Sequence, residues 1–401
     1  MDIRSYLNIN DLDIRKTHDA RFMDQKVTPD VLSIIADCAI NVVGSDINKE
    51  FTVQDIWDSQ YFNENVKAVF NKPSVKNPAA KHEYDKFIQQ PLKALSYAGV
   101  LSCKRRGQKN YFKIVSPEIL QYIAFKDRNA YVFLCDYIEK VLRDSGLMAY
   151  FENYKTICDV GDDYAAEYIR IKNRFERFIK GNTSIKKDFE PKRIFPKIFN
   201  IYAVENGLPG SEAGKASKHP FHYSDLMYNR INWRDVKKAK GISRQESKKI
   251  SRQESEDILV SQNTGYDHYL TQKAVNIIKA KYLDSEIHDT WGNGQATQVH
   301  HIFPKNKFPE LAHYTENLIK LTPSQHSNKA HKNGNYQYVD KDYQLICLLA
   351  KAETIEESLR AGEFIYSKES FVHVINKGLS LSLKYDMSFK EIKDVIRKIF
   401  R

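Results

Sequence analysis

One stretch in the last third of the chain constrains the fold most strongly. Residues 298–303 are mostly apolar or β-branched around the pair His300 and His301, and Pro304 ends this predicted strand because proline cannot donate to a ladder. Residues 318–321 form a second short apolar run. The pattern predicts two short strands joined by a loop.

A helix is predicted directly after the second strand, and it carries further histidines. Thr322 is the expected cap, and Pro323 stands at the first helical position, where its missing N–H costs nothing. His326 and His331 follow within this helix. The stretch as a whole therefore predicts a strand, a loop, a strand and a helix with imidazoles on the first and last of these elements.

These residue types suit a metal site beside a reacting water molecule. Adjacent strand residues point to opposite faces, but a strand that ends at the histidine pair lets one ring face a metal and the other a water. A helical histidine can complete the ligand set, and neutral imidazole suits Zn²⁺, Ni²⁺, Mn²⁺ and Co²⁺ better than Mg²⁺. Asn317, at the head of the second strand, can hold the loop through its side-chain amide.

His301, Asn317 and His326 resemble the H-N-H triad of the HNH nucleases, the ββα-metal family. The spacings, 317 − 301 = 16 and 326 − 317 = 9, are usual for that family, and the resemblance covers about residues 298–335. It implies a metal-dependent DNA endonuclease that leaves 5′-phosphate and 3′-hydroxyl ends, with a catalytic domain at residues 266–340.

The resemblance also implies a role for each residue. His301 is similar to the general base that deprotonates the attacking water, and Asn317 to the residue that orients its loop. His300 and His326 would be metal ligands. The cofactor implied is one divalent ion, with Mg²⁺ expected in use and Mn²⁺, Ni²⁺ or Zn²⁺ as alternatives. Each residue alone is more often structural, so the joint arrangement carries the interpretation.

Two further helical residues are candidates. Colicin-type members of the family carry another histidine four residues beyond the second ligand, whereas His331 follows His326 by five. On an ideal α-helix that gap turns His331 by roughly 140°, which favours a position away from the metal. It is kept as a candidate third ligand. Lys329 is a candidate phosphate contact, or else part of the solvated surface.

Composition limits the class of protein. The 401 residues suggest two or three domains, and the formal charge of +11 suits a polyanion such as double-stranded DNA, although a merely basic protein would show the same balance. Five scattered cysteines without a CxxC pair predict core residues in a reducing cytoplasm and no zinc knuckle. No signal core and no membrane-length apolar run is present.

The N-terminal part resembles a winged helix-turn-helix domain. Residues 1–27 are predicted to be a loose arm, and residues 28–116 contain three helical patterns followed by a hairpin. In that reading the helix at 91–98 enters the major groove of DNA, with Pro91 starting or breaking it, and the hairpin tip contacts phosphate or the minor groove. The tip residues are Lys104, Arg105, Arg106 and Lys109. The alternative is a winged-helix domain used for protein contacts.

The rest of the chain is predicted to be mostly helical. Residues 117–265 form a helical middle region with a linker at 205–218 and a tandem copy at 242–255, and residues 341–401 form a C-terminal helical segment. The fold class expected is therefore a mostly α, multidomain α+β protein. Its expected parts are a winged-helix-like N-terminal domain, a helical middle region and a ββα-metal core with C-terminal helices.

The function expected is that of a sequence-specific restriction-type endonuclease, similar to type II enzymes. One ββα-metal site cuts one strand, so duplex cleavage calls for a homodimer, a transient dimer or two successive events. Two alternatives stay open: a DNA-binding regulator with a structural metal site, and a non-specific or RNA-directed toxin nuclease.

Overall fold

The computed structural model describes residues 2–70, 81–161, 163–228, 264–292, 294–331 and 339–400. The chain is mostly helical with a few short strands, which confirms the predicted fold class at this coarse level. It divides into two compact units, Asp2–Glu256 and Asp257–Arg401, rather than the five segments drawn from the sequence. Within the described ranges, no helix combines the length and apolarity that crossing a membrane requires. The tandem copy at 242–255 lies outside the described residues.

The prediction that residues 1–27 form a loose arm is wrong. This segment contains α1 (Ile3–Leu7), α2 (Ile14–Thr17) and a 3₁₀ turn, and most of its apolar side chains are buried, with Ile9 as an exposed exception. The Tyr6 hydroxyl donates to the Gly99 carbonyl at 2.8 Å, and the Tyr137 hydroxyl donates to the Phe22 carbonyl at 2.7 Å. The high content of charged residues hid the apolar positions, which are spaced too irregularly to form a helical stripe.

The next part of the N-terminal unit combines helices with a three-stranded antiparallel sheet in the order β1-β3-β2. The second strand pairs with the third along its whole length, from Leu101 opposite Ile114 to Arg106 opposite Lys109. The elements are α3 (Pro29–Val43), β1 (Phe51–Thr52), α4 (Val53–Asp58), α5 (Gln60–Phe70), α6 (Lys81–Tyr97), β2 (Leu101–Arg106) and β3 (Lys109–Ile114).

Pro91 neither begins nor breaks the helix that contains it, because α6 continues through it to Tyr97. Proline in a helix interior removes one hydrogen bond and crowds the preceding turn. The apolar face of α6 offsets this cost, since Phe87, Ile88 and Leu92 are fully buried. Tertiary packing therefore overrides the local signal on which the sequence interpretation depended.

The middle region is helical, as predicted, but the linker expected at 205–218 is wrong. Its helices are α7 (Pro117–Phe125), α8 (Asp127–Asp144), α9 (Met148–Val160), α10 (Tyr164–Asn182) and α11 (Phe189–Glu205). The supposed linker forms the hairpin of β4 (Pro209–Glu212) and β5 (Lys215–Pro220). Gly210 packs so closely against Phe221 that a Cβ would lie 2.2 Å from its ring. The glycine reflects close packing here, not an open linker.

The C-terminal unit surrounds one apolar core with a two-stranded antiparallel sheet and helices. Its elements are α12 (Thr264–Lys281), β6 (Gln298–His301), β7 (Leu318–Leu321), α13 (Pro323–Gln325), a π-helical turn (His326–Ala330), α14 (Lys341–Arg360), α15 (Lys368–Leu379) and α16 (Phe389–Ile399). The predicted strand, loop, strand and helix are thus present, and residues 341–400 pack into the same unit and core instead of forming a separate segment.

A buried ion pair fastens the second strand of this sheet. The Lys351 ammonium lies 2.5 Å from a Glu286 carboxylate oxygen, and the two side chains are 0% and 2% exposed. The other oxygen of Glu286 accepts from the Lys320 backbone N–H at 2.7 Å. Removal of one partner of such a pair costs more than the pair contributes, because the other charge stays buried and uncompensated.

Candidate metal centre

The register of β6 and β7 determines where the two adjacent histidines point. His300 lies opposite Ile319 and His301 opposite Leu318. Strand side chains alternate between faces, and His300 is accordingly buried at 2% exposure, whereas His301 is half-buried. The two imidazoles therefore occupy different environments although they are neighbours in sequence.

Asn317 holds the loop between the two strands through its side-chain amide. Its Oδ1 accepts from the Phe303 backbone N–H at 2.8 Å, and its Nδ2 donates to the carbonyls of Phe303 and Leu311, each at 3.1 Å. The side chain is fully buried. Three buried hydrogen bonds thus join the end of β6, the loop and the start of β7.

The helix that follows β7 begins with a reciprocal capping box. The Thr322 hydroxyl accepts from the Gln325 backbone N–H, and the Gln325 Oε1 accepts from the Thr322 backbone N–H. Gln325 is fully buried, and its Nε2 also donates to the Ile287 carbonyl at 2.8 Å and to Asp289 Oδ1 at 2.9 Å. These contacts fix the direction of the helix immediately before His326.

Three imidazoles meet between the sheet and this helix. The centres of the His300 and His326 rings lie 5.3 Å apart, those of His300 and His331 4.9 Å, and those of His326 and His331 4.8 Å. One ring nitrogen from each histidine lies within 4.8 Å of the others. No other group of three or more candidate ligand residues was found among the described residues.

The expectation that His331 would point away from the others is wrong. It assumed an α-helix, whereas residues 326–330 form a π-helical turn in which the His331 N–H donates to the His326 carbonyl at 3.1 Å. A π-helix joins residue i to residue i+5, so a five-residue gap returns the side chain to the same face. Such turns are rare, and nothing in the local composition predicts one here.

Burial determines the protonation of these rings. Burial, followed by the neighbouring His331 and His326, holds the pKa of His300 well below its usual range. Burial, followed by the neighbouring His331, lowers the pKa of His326 to about 4. Both rings are therefore neutral near pH 7, which is the form that binds a metal ion.

The His300 ring also has an unsatisfied nitrogen. Its Nε2 is buried and has no hydrogen-bond partner among the residues that the structure describes. Such a buried polar atom is costly, and a native structure that contains one calls for an explanation such as an ion. A cluster of three imidazoles, one with an unsatisfied nitrogen, fits a transition metal better than Mg²⁺, which prefers oxygen ligands.

His301 has a different arrangement from the other three histidines. Its Nε2 lies 3.1 Å from the Ala312 carbonyl oxygen, which can only accept, so this nitrogen carries the hydrogen. The neutral ring then has its lone pair on Nδ1. Burial lowers the pKa of His301, and the hydrogen bond to Ala312 opposes this in part. The ring is therefore neutral at pH 7 with one nitrogen available as a base.

All four histidines line one cavity of about 710 Å³ in the C-terminal unit. The remaining lining residues are Val299, Pro304, Lys305, Asn306, Pro309 and Val339. No described carboxylate lines it, and Lys305 adds a positive charge beside His301. Beside the three clustered imidazoles, the cavity therefore carries a positive charge that can meet an anion.

The candidate DNA contacts of the hairpin lie in the N-terminal unit. Lys104, Arg105, Arg106 and Lys109 are all exposed on β2 and β3. Arg106 forms a two-point ion pair with Glu50, at 2.7 and 2.9 Å, so its charge is largely compensated. The uncompensated positive charge at this tip therefore comes mainly from the other three residues.

Lys329, the remaining predicted contact, is partly exposed within the π-helical turn of the C-terminal unit. Its ammonium lies 5.0 Å from the centre of the Trp291 ring.

Two residues that shape this site, Gln325 and Lys305, were not among the predicted site residues. Gln325 was predictable, since Thr322-Pro-Ser-Gln325 has the spacing of a capping box. Lys305 had no distinguishing signal, because a lysine after a proline is an ordinary loop residue.

Comparisons with family models, curated proteins and solved structures found no significant match to this chain.

Proposed function

We propose that this chain is a metal-dependent DNA endonuclease of the HNH type, with its active site in residues 298–331. The single observation that carries the proposal is the unsatisfied, buried Nε2 of His300 among three converging imidazoles, with His301 beside it in a separate hydrogen-bonded position. A purely structural cluster needs no fourth imidazole with a ring nitrogen prepared to accept a proton.

His300, His326 and His331 would hold the ion. When bound, a divalent cation at this place supplies Lewis-acid stabilisation of a phosphodiester and of its leaving oxygen. The ligand set favours Zn²⁺, Ni²⁺ or Co²⁺ over Mn²⁺, which prefers oxygen ligands. Mg²⁺, which the resemblance suggests, is usually held by carboxylates, and no described carboxylate lines the cavity.

His301 would act as the general base. The Ala312 carbonyl accepts the Nε2 hydrogen, which leaves Nδ1 to take a proton from a water molecule. The same carbonyl stabilises the imidazolium that results, since it then faces a charged donor. Asn317 would keep this arrangement in place by holding the loop on which Leu311 directly precedes Ala312.

The charge of the cavity supports a phosphodiester substrate. Lys305 lines it next to His301, and no described acidic residue does. A phosphate oxygen in the cavity would therefore meet the lysine ammonium, which also interacts electrostatically with Asp267 outside the cavity lining. Lys305 is exposed, so its ammonium group is accessible to a substrate without any rearrangement of the protein.

The N-terminal unit supports a DNA-reading role. Its helix order, its β1-β3-β2 sheet and its exposed hairpin resemble a winged helix-turn-helix arrangement. We propose that Lys104, Arg105 and Lys109 contact the phosphate backbone, and that the enzyme is a sequence-specific, restriction-type nuclease. Cleavage of both strands by one site per chain would then require two protomers or two successive events.

The rival function is a DNA-binding regulator with a structural metal site. The burial of His300 and His331, at 2% and 6% exposure, is a specific observation in its favour, because structural sites are closed to solvent. This rival gives no role to His301. The two functions therefore differ in what loss of the His301 ring would do.

A plasmid-nicking assay tests the proposal. The wild-type protein, loaded with Zn²⁺, Ni²⁺, Co²⁺, Mn²⁺ or Mg²⁺ in turn, should nick or linearise supercoiled DNA, and EDTA should stop it. His301→Ala should reduce the rate by 10²- to 10⁴-fold, about the usual contribution of a general base, with metal and DNA affinity unchanged.

His288→Ala, at an exposed histidine of the same unit, is the matched control and should cleave normally. Metal binding without nicking in any of the five ions would overturn the nuclease proposal in favour of the regulator. Complete degradation to short fragments, or cleavage of RNA, would instead support the toxin alternative.

A further inference from the structure

Trp291 is an exposed tryptophan on a tightly fastened loop of the C-terminal unit. Its side chain is 43% exposed, although tryptophan is normally among the most buried residues on average. Its backbone N–H donates to Asp289 Oδ1 at 2.8 Å, and its carbonyl accepts from the Thr322 hydroxyl at 2.9 Å. The ring is thus presented to solvent from a backbone fixed on both sides.

The same loop is bonded to the helix that leads into the metal site. Gln325 donates to Ile287 and Asp289, and it directly precedes His326. A Cβ at Gly292 would lie 2.9 Å from the Ile287 carbonyl and 3.1 Å from the Gln325 amide nitrogen, so the loop has no room to shift. Trp291 is therefore held at a fixed place relative to the helix turn that carries the imidazoles.

A cation accompanies the exposed ring. Lys329 belongs to the π-helical turn between His326 and His331, and its ammonium lies 5.0 Å from the centre of the Trp291 ring. An aromatic face beside a lysine is the combination with which proteins hold single-stranded nucleic acid, since a base stacks on the ring and its phosphate meets the charge.

We propose that Trp291 and Lys329 form a platform on which an unstacked nucleobase of the DNA strand next to the cleaved phosphate is held. The inference rests on the proposed function and deepens it. The substrate presented to the metal site is a locally unpaired strand, and a duplex must open at that nucleotide before it is cut.

Substitutions of Trp291 test whether the aromatic ring itself, and not merely a large apolar side chain, is needed for DNA binding. Trp291→Leu keeps an apolar side chain but removes the ring, whereas Trp291→Phe keeps a smaller ring. With chelator present to prevent cleavage, a fluorescein-labelled single-stranded 12-nucleotide DNA should bind Trp291→Leu roughly 5- to 150-fold more weakly than wild type, the value of one base–aromatic stack. Trp291→Phe should retain most of the affinity, and Lys329→Ala should lower it and reduce its salt dependence.

Cleavage gives a second measurement. Wild type should cut a duplex with one unpaired nucleotide beside the cleaved phosphate faster than the fully paired duplex, and Trp291→Leu should lose that preference. Tyr385→Ala, at an exposed aromatic residue of the same unit (54% exposed), is the matched control and should behave as wild type in both assays.

The outcomes separate the two proposals. Equal binding and cleavage by Trp291→Leu and Trp291→Phe, in a protein that nicks DNA, would overturn the stacking platform and leave the nuclease intact. Weakened binding by Trp291→Leu in a protein that nicks nothing would support the platform and overturn the nuclease. A Trp291→Leu protein that binds DNA normally but loses a protein partner would also overturn the platform.

Discussion

Gly378 packs directly against the ring of Phe303. A Cβ built on this glycine of α15 would lie 2.3 Å from the Phe303 Cζ, closer than any real contact. Phe303 in turn exchanges hydrogen bonds with Asn317 through both its backbone N–H and its carbonyl. The glycine is therefore required for close approach to the loop that supports His301, and not for an unusual backbone angle.

Gly378→Ala should destabilise the C-terminal unit and slow DNA cleavage. Overpacking of a filled core typically lowers the free energy of unfolding by about 1–3 kcal/mol. Phe303 is only 1% exposed, so its ring has no free space into which it could move. Thermal unfolding and the nicking rate measure the two effects. Phe303→Leu in the same chain should recover part of the loss.

Gly181→Ala is the control for Gly378→Ala. This glycine is also helical, but a Cβ there meets nothing within 4 Å, so the change should be neutral or slightly stabilising. An equal loss of stability from both substitutions would contradict the packing argument.

His326→Ala and His331→Ala should weaken metal binding to the same extent. Both rings belong to the cluster whose nitrogens lie within 4.8 Å. Removal of a residue that only orients a metal ligand typically lowers metal affinity by about 10- to 100-fold. Loss of either histidine, as a ligand itself, should lower the affinity by more than that. Competition titration of Zn²⁺ and Ni²⁺ against a chromogenic chelator measures this, with His288→Ala as the exposed control. Wild-type affinity in His331→Ala would mean that the ring is not a ligand.

Asn317→Ala should destabilise the C-terminal unit by about 2–4 kcal/mol. The change leaves the N–H and the carbonyl of Phe303 buried without their Asn317 partner, and each unsatisfied buried group costs about 1–3 kcal/mol. The Leu311 carbonyl loses one hydrogen bond but still accepts from the Tyr314 N–H at 3.2 Å. Thermal unfolding with near-ultraviolet circular dichroism provides the measurement.

Asn317→Asp tests which part of the amide matters. At neutral pH a carboxylate oxygen would face the carbonyl oxygens of Phe303 and Leu311, so this variant should be at least as unstable as Asn317→Ala. A stable Asn317→Asp protein would show that the two donated hydrogen bonds are unimportant.

Asp13 should make folding of the N-terminal unit sensitive to acid. Its carboxylate, 5% exposed, caps α2 and receives hydrogen bonds from the Arg15 backbone and guanidinium. The Arg15 hydrogen bond is the largest cause that holds the pKa of Asp13 below its usual value, and burial opposes it. Because the folded pKa is the lower one, the stabilisation is complete above the unfolded value of about 3.9 and is lost as pH falls through the folded pKa.

Asp13→Asn keeps the cap but removes the charge. It should lower the free energy of unfolding by about 1 kcal/mol at pH 7, and the difference from wild type should shrink as pH falls below about 4. Denaturant unfolding between pH 7 and pH 3 measures the gap. A gap that stays constant over this range would exclude a role for the Asp13 charge.

Much of the fold was predictable because long apolar stripes specify helices irrespective of context. The helices of the middle region and the strands at 298–301 and 318–321 follow from such patterns. The failures came where packing overrides local signals. Pro91 and Gly210 read as interruptions, yet each lies within a regular element. The side chains that bury residues 1–27 come from distant helices, which no local pattern contains.

The site was predictable in composition but not in geometry. The spacing of His301, Asn317 and His326 indicated which residues to group, and the strand register follows from alternation. The position of His331 depended on the type of helix, which tertiary contacts on both sides of the turn influence. Before the turn, Gln325 donates to the Ile287 carbonyl, and after it the Asp340 N–H donates to the Ala330 carbonyl at 3.0 Å.

The π-helical turn at 326–330 affects how a histidine cluster of this geometry is written as a sequence pattern. One added residue widens the turn and shifts the last histidine by one position in sequence, while its side chain stays with the other two. A search pattern that fixes the interval between the two helical histidines at four would pass over this chain. A pattern expressed in helical turns, which tolerates four or five residues, would retain it.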